Sequence, residues 1–331
     1  MANHTTIDFP ADIPTVKRGE HWIARAGDRE LKLSNLDKLF WPDEGYTKGD
    51  LVTYYFNASP VLLPHLADRP LTMKRMPNGI TGDHFYEKNA PSHAPAWMPT
   101  IPVRSAGESK TINFLTVTDV IHVVWMANLG CIEFHPLHGR GPDQSRPTYA
   151  FFDLDPMGGA GWKEVQHAAS LVKVVLDKLS IESYPKTSGA TGMQIMVPLD
   201  GSHTYDEVRG FVGAVSDLVH QADPENTTVE WEVRKRGRKV FLDVNMNREG
   251  ANIAAAYSVR PEPGATVSTP FKWEELDDID PRTFTMATIW DRIAEVDDPF
   301  LPVAEGPGQS LAGAIEALGA RPRKARVIRR G

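Results

Sequence analysis

Asp153 and Asp155, in the run FFDLDP, are two carboxylates at strand spacing. Residues two apart on a strand face the same side, so both acids point together, roughly 6–7 Å apart along the chain. Phe152 and Leu154 then face the opposite layer. Two carboxylates on one face repel unless a cation sits between them. Hard divalent ions such as Mg²⁺ or Mn²⁺ take oxygen ligands of this kind. The plain alternative is a solvated strand end before a proline turn. Asp243, in KVFLDV, is a further acid among strand apolars, costly to bury unpaired and otherwise an end cap or ion-pair partner. Three such carboxylates can hold two metals about 3.5–4 Å apart. One ion would lower the pKa of an attacking hydroxyl, and the other would neutralise a leaving pyrophosphate.

Phosphate-binding parts surround these acids in sequence. The run Lys186 to Gln194 (KTSGATGMQ) joins two expected strands. Gly189 and Gly192 let backbone N–H groups approach a phosphate, and Ser188 and Thr191 add hydroxyls. Most such turns are plain hairpins; this one lies between the two acid-bearing strands. Arg236 and Lys239 belong to a basic run (RKRGRK) just before Asp243. That run reads as a solvated turn or as positive charge for a triphosphate. Ser258 and Arg260 in AYSVR, and His135 at a strand end in IEFHP, are similar candidates. Lys38 and Lys48 resemble any surface lysine. Phe85 and Tyr86 in HFYEK can stack on bases or fill a core.

These residues need a mixed scaffold. Thr47 and Asp50 have capping-box spacing, and LVTYYFNASPVLLPHL supplies an apolar helical face that Pro60 must bend or interrupt. VTDVIHVVWMANLG reads as a buried helix and CIEFH as a strand. The second half alternates strand TYAFFDLDP, helix GWKEVQHAASLVKVVLDKLS, strands IESYPKTSG and MQIMVPL, and a helix over 204–222 capped by Thr204 and Glu207. TTVEWEV and KVFLDVNM alternate like paired strands, and Asp280-Pro281 opens an amphipathic helix to about Val296. SLAGAIEALGA is a last short helix. The pattern is α+β. Three segments are expected: a partly ordered N-terminal extension over 1–30, a catalytic domain over 31–300, and a C-terminal extension with a basic tail over 301–331.

Apolar residues make up 41% of the 331 and charged residues 24%, ordinary for a globular chain and enough for a sizeable core. One cysteine, Cys131, rules out an internal disulfide and fits a reducing cytoplasm. No run of 18 apolar residues reads as a membrane span, and the N-terminus has no signal-peptide pattern. The net charge of −7 argues against a simple nucleic-acid binder. The final RPRKARVIRRG nevertheless carries six basic side chains and no acid, and local basic tracks on an acidic body remain compatible with phosphate binding.

Taken in order, LSNLDKLFWP, YTKGDLVTYY, MKRMPNG, HFYEK, FFDLDP, TSGATGMQIMVPLD, RKVFLDVNMN and AYSVR resemble the polymerase domain of bacterial DNA ligase D, within the archaeo-eukaryotic primase superfamily. The strings span about residues 31–276. The resemblance implies an archaeo-eukaryotic primase fold, an RRM-like catalytic sheet packed with a second α/β module. It implies a two-metal nucleotidyltransferase that fills short gaps or extends ends in DNA repair, favouring ribonucleotides. Asp153, Asp155 and Asp243 would hold the catalytic metals, two Mn²⁺ or Mg²⁺ ions. Ser188, Gly189, Gly192, Gln194, His135, Arg236, Lys239, Ser258 and Arg260 would surround the incoming nucleoside triphosphate. Asn35, Lys38 and Lys48 would grip a 5′-phosphate across a gap or break. Lys74, Arg75, Phe85, Tyr86 and Lys88 would line the DNA. A Ku-type end binder and a separate DNA ligase are implied partners, with nucleoid association on DNA. No ligase or nuclease domain follows in the chain, so a stand-alone version is expected. Two departures stand out. The family's Gly-Leu-His is Gly192-Met193-Gln194 here, and Thr191 replaces a common lysine. Gln194 motivates an alternative, a DNA-end or gap-binding scaffold with weak or lost polymerase activity. A metal-dependent phosphodiesterase ranks behind both, because no metal-binding histidine cluster accompanies the acids.

Overall fold

The computed structural model describes residues 15–18, 21–104, 110–295 and 298–325. Strands β1 (Thr15–Arg18), β2 (His21–Ala26) and β3 (Arg29–Leu33) form an antiparallel sheet. The part of the expected loose extension that is described is therefore a paired element, with Leu31 and Leu33 buried in the first core. A ribbon of β4 (Leu39–Trp41) and β5 (Tyr46–Thr47) leads into α1 (Lys48–Leu66).

Helix α1 starts where the capping box places it. The Asp50 N–H donates to the Thr47 hydroxyl at 3.2 Å, and the Thr47 N–H donates to the Asp50 carboxylate at 2.7 Å. Pro60 does not interrupt it. The carbonyl deprived of its partner by a proline at 60 is that of Phe56, and the Ser59 hydroxyl donates to that oxygen at 2.7 Å. The helix continues for another turn and a half.

The first module is completed by β6 (Leu71–Arg75), β7 (Phe85–Glu87), β8 (Thr100–Arg104), β9 (Thr111–Leu115), α2 (Val120–Asn128) and β10 (Cys131–Pro136). Its sheet runs β10-β6-β9-β8, with β7 also pairing β6. The second module follows as β11 (Tyr149–Pro156), α3 (Trp162–Lys178), β12 (Tyr184–Thr187), β13 (Met193–Pro198), α4 (Tyr205–Ala222), β14 (Thr227–Thr228) and β15 (Val240–Leu242). Its sheet order is β12-β13-β11-β15-β14. Leaving β14 aside, this βαββαβ order is the ferredoxin-like arrangement, the RRM-like sheet that was expected.

Alternation along β11 sorts the core. Ala150, Phe152 and Leu154 pack under α3 and α4, while Tyr149 and Phe151 face the first module's core. Asp153 and Asp155 share the latter side, so the acids look into the junction between the modules.

Two expected elements are different. The pair read from TTVEWEV and KVFLDVNM is a two-residue parallel contact, Thr227 to Val240 and Thr228 to Phe241. The basic run between them turns through a short 3₁₀ segment, and Arg234, Lys235 and Arg238 pair with Glu232 and Glu164. The helix expected from Asp280 is a 3₁₀ turn over Pro281–Thr283, followed by a separate α5 (Ile289–Glu295). The Thr288 hydroxyl donates to the Thr283 carbonyl and the Thr285 N–H donates to Thr288, so side chains take the backbone bonds that would continue a helix. Helices α6 (Leu301–Glu305) and α7 (Ala312–Leu318) close the fold. Among the described residues no helix is long and apolar enough to cross a membrane, and Cys131 is buried as a free thiol.

Candidate active site

Antiparallel register sets the acids. Leu154 pairs Leu242 and Asp155 pairs Phe241, so Asp153 stands beside Asp243, whose N–H donates to the Asp153 carbonyl at 3.0 Å. Asp243 lies one residue past β15 and caps a short turn, accepting from Asn245 N–H at 2.9 Å. On the other side Asp153 pairs Gln194, and Gln194 pairs Lys186. A row therefore crosses four strands: Lys186, Gln194, Asp153, Asp243.

The row is hydrogen-bonded at one end and electrostatically loaded at the other. The Lys186 ammonium, fully buried, donates to the Gln194 amide oxygen at 2.5 Å and to the Ser268 hydroxyl at 2.6 Å. The Gln194 amide donates to Asp153 at 3.0 Å. Burial, then the charges of Asp155 and Asp243, push the Asp153 carboxyl well above the carboxylate range. Burial and Asp243 raise Asp155 to about 6, against the pull of Arg236 and Arg260. Burial also raises Asp243, and it lowers Lys186 to about 7. Three acids on one face lack enough nearby positive charge. Their hard oxygen donors fit divalent cations, although among the described residues no three acids or imidazoles converge as a closed cage.

The glycine turn abuts the row. A side chain at Gly192 would lie 2.5 Å from the Leu154 carbonyl and 3.3 Å from the Asp155 carboxylate. Gly189, at φ +72°, has the Arg260 side chain 2.6 Å from where its own would begin. The Ser188 hydroxyl accepts from the N–H groups of Ala190 and Gly192 and so holds the turn closed.

Facing this row from the first module is a nest of cations around one acid. Glu133, fully buried on β10, pairs Lys74 at 3.0 Å, Arg260 at 3.2 Å and His135 at 2.5 Å. Burial pushes its carboxyl up. The His135 hydrogen bond and the charges of Arg260 and Lys74 outweigh that and hold it at about 2. Burial lowers the His135 pKa, against the pull of the Glu133 carboxylate. Arg260 also donates to the Ser188 carbonyl, joining the nest to the glycine turn.

A second cluster gathers Asn35, Lys38, Lys48 and Arg75. Asn35 takes a left-handed conformation (φ +53°), and its carbonyl accepts from Lys38 N–H. Burial, with the charges of Lys38 and Arg75, lowers the Lys48 ammonium to about 8. It is anchored on the Ser34 carbonyl at 2.6 Å. Phe85 and Tyr86 are 44% and 52% exposed. Phe85 covers Arg75 at 5.1 Å, and Tyr86 meets His135 edge-on at 5.7 Å. One hairpin thus spans both clusters.

Several expected ligands are placed elsewhere. Ser258 is fully buried, its hydroxyl taken by Phe134 N–H and Tyr55, and it supports β10 from beneath. Lys239 turns away, donating to the Pro224 carbonyl at 2.6 Å. Gln194 is committed to Lys186 and Asp153 rather than free for a phosphate. Lys74 turns into the nest, away from the Phe85 side. Arg236 stacks on Phe241 at 3.4 Å and donates to two backbone carbonyls, so only its charge reaches Asp155. Lys88 is exposed and joins neither cluster. Glu133 and Lys186 were not singled out from sequence. The signal for Glu133 is an acid within a strand whose six residues are all buried.

Comparison with known proteins places this geometry. The family model described as "LigD, primase-polymerase domain" matches residues 47–300. The multifunctional non-homologous end joining protein LigD of Mycolicibacterium smegmatis is 31% identical over 280 residues, covering 84% of this chain and 36% of the relative. The bifunctional LigD of Bacillus subtilis is 31% identical over 288 residues, covering 86% and 46%. The polymerase domain from Mycobacterium tuberculosis ligase D, solved in complex with DNA, superposes with a TM-score of 0.77 at 30% identity, covering 83% of this chain and 98% of that one. The chain spans less than half the length of these curated relatives.

Proposed function

The chain belongs to the LigD primase-polymerase domain family, and on that premise we propose that it is a template-dependent nucleotidyltransferase that fills short gaps or extends ends in DNA repair. The observation that carries this reading is an under-compensated acid row beside a cation-rich nest, the two joined by Arg260. An anionic nucleotide and divalent cations together complement both walls. Asp153, Asp155 and Asp243 would hold two Mn²⁺ or Mg²⁺ ions. When bound, these ions supply charge neutralisation and activation of the attacking hydroxyl.

The protein's own residues do the rest. Arg260, His135 and Lys74 orient the triphosphate, and the N–H groups around Gly189 and Gly192 let it approach the acids. Tyr86 and Phe85 present ring faces to template bases, with ribonucleotides the favoured substrates. Asn35, Lys38 and Lys48, with Arg75 beside them, form the 5′-phosphate grip, which positions the gap without reading its sequence. The catalytic unit is residues 31–300. A Ku-type end binder and a separate ligase would act with it at breaks.

Primer extension on a gapped duplex tests the assignment. Asp243→Ala abolishes extension and leaves DNA binding intact; extension persisting in that variant removes Asp243 from catalysis. The scaffold alternative draws on the committed amide of Gln194. Tight binding with no extension by the unaltered chain, given Mn²⁺ and all four ribonucleotides, would favour it.

A further inference from the structure

The chain beyond the family match folds back onto the edge of the catalytic sheet. After α7, residues 319–325 cross α4 as a strap. Gly210 and Gly213 make room for it. A side chain at Gly210 would lie 2.3 Å from the Arg321 carbonyl, and one at Gly213 would lie 2.3 Å from the Arg323 guanidinium. Glycine inside a helix is disfavoured against alanine, so this close approach is built at a cost. The strap is fixed by Arg323, whose N–H donates to the Asp206 carbonyl at 2.9 Å and whose guanidinium pairs with Asp217 at 2.5 Å.

The strap walls a cavity of about 190 Å³. β14 covers β15 only opposite Val240 and Phe241, so the sheet edge is open from Leu242 onward. The cavity occupies that opening, and Arg209, Trp231, Leu242, Asp243, Arg323 and Lys324 line it. Arg209 is buried, and its Nε has no hydrogen-bond partner among the described residues. Lys324 is exposed and makes no ion pair among them. An unsatisfied guanidinium nitrogen and an unpaired ammonium both call for an acceptor-rich anion. Asp217 and Asp243 also line the cavity, so the anion sits towards Lys324 and the Arg209 Nε, away from those carboxylates and near the end of the acid row. The body of the protein is acidic, and the described strap carries Arg321, Arg323 and Lys324 without an acid, so it brings positive charge to this edge.

We propose that this cavity is a phosphodiester-binding site for the strand whose 3′ end reaches Asp243, with Lys324 and Arg209 as its ligands and Arg323 as the clamp that seats the strap. Naming that strand rests on the polymerase reading; the anion site itself does not. The test is anisotropy binding of a 3′-recessed primer–template to the full chain over a salt series, without nucleotide. Lys324→Ala lowers affinity on the order of fivefold and reduces the salt slope by about 0.7–0.9, one phosphate contact. Lys178→Ala, a remote exposed lysine, changes neither. Replacing the terminal primer phosphates by neutral methylphosphonates abolishes the difference between the unaltered chain and Lys324→Ala. An unchanged slope in Lys324→Ala overturns the site. So does a loss that persists undiminished on the neutral primer. Binding of inorganic pyrophosphate that depends on Lys324 but leaves strand affinity unchanged assigns the cavity to a free anion and overturns the strand proposal. Extension by the unaltered chain is measured in parallel, so a failed polymerase reading leaves the binding result interpretable.

Discussion

The two walls of the cleft solve opposite electrostatic problems. In the nest, three basic groups converge on Glu133, and that buried carboxylate is satisfied by its own neighbours without a ligand. In the acid row, no cation is bonded directly to the three carboxylates: the buried Lys186 ammonium is linked through the Gln194 amide, and Arg236 and Arg260 act on Asp155 by charge without offsetting its burial. The first wall is complete as folded. The second stores repulsion that a cation relieves. A buried ionic group thus means different things in the two walls: structural closure in one, an unmet demand in the other.

The sharpest way to break this contrast is Asp155→Asn. It removes repulsion, so metal-free stability rises by about 1 kcal/mol, while extension falls by at least on the order of 10³-fold. Thermal unfolding without divalent ions and single-turnover extension read the two; a destabilised variant contradicts the account of the row. Glu133→Gln has the reverse signature. It strands Lys74 and Arg260 near a buried site and lowers stability by about 3 kcal/mol, seen as a drop in the denaturant midpoint. Substitution without loss would mean the nest is not closed by Glu133.

Acidity separates the walls by sign. Asp155 titrates near 6 folded against an ordinary 3.8, so the folded state binds more protons between those values, and metal-free stability rises as pH falls through about 6. Glu133, held at about 2 against an ordinary 4.5, contributes stability that is present above 4.5 and lost as pH falls towards 2. Unfolding midpoints at pH 7 and pH 5 show the gain, and Asp155→Asn diminishes it. Lys186→Met is subtler. Replacing a buried cation by an apolar side chain of similar length shifts stability by only about 1 kcal/mol. It deepens the deficit in the row, so Mn²⁺ binds the nucleotide-free protein roughly threefold more tightly, measurable by electron paramagnetic resonance. Weaker binding would make the Lys186–Gln194 link a positioning device instead. The smallest effect belongs to Lys48→Ala, which erases a threefold to tenfold preference for a gapped duplex bearing the downstream 5′-phosphate. A preference that survives removes Lys48 from that grip.

The row was more legible in the sequence than the nest. Asp153 and Asp155 announce their shared face by spacing alone, and Thr47 with Asp50 announces a helix start, because both depend on local geometry. Glu133 is invisible by that logic: its partners lie at 74, 135 and 260, and only β6–β10 pairing and the Arg260 loop assemble them. Ser258 fails for the same reason, since burial is decided by Tyr55 and Phe134 from distant segments. Pro60 was read from its missing N–H without the Ser59 hydroxyl that replaces it. The strap was visible only as a run of basic residues. Arg326, Arg329 and Arg330 of that run lie outside the described residues, and what seats the remainder is two glycines on α4 that carry no sequence signature of a binding groove.

Arg260 touches both walls at once, with Glu133 on one side and the Ser188 carbonyl on the other. Its Nε is held by one module and one of its terminal nitrogens by the other. A ligand that draws either nitrogen away loosens that tie, so grip on the ligand and grip between the modules are reciprocally linked. The side chain behaves as a gauge rod: whatever occupies the cleft registers in how firmly the halves are tied.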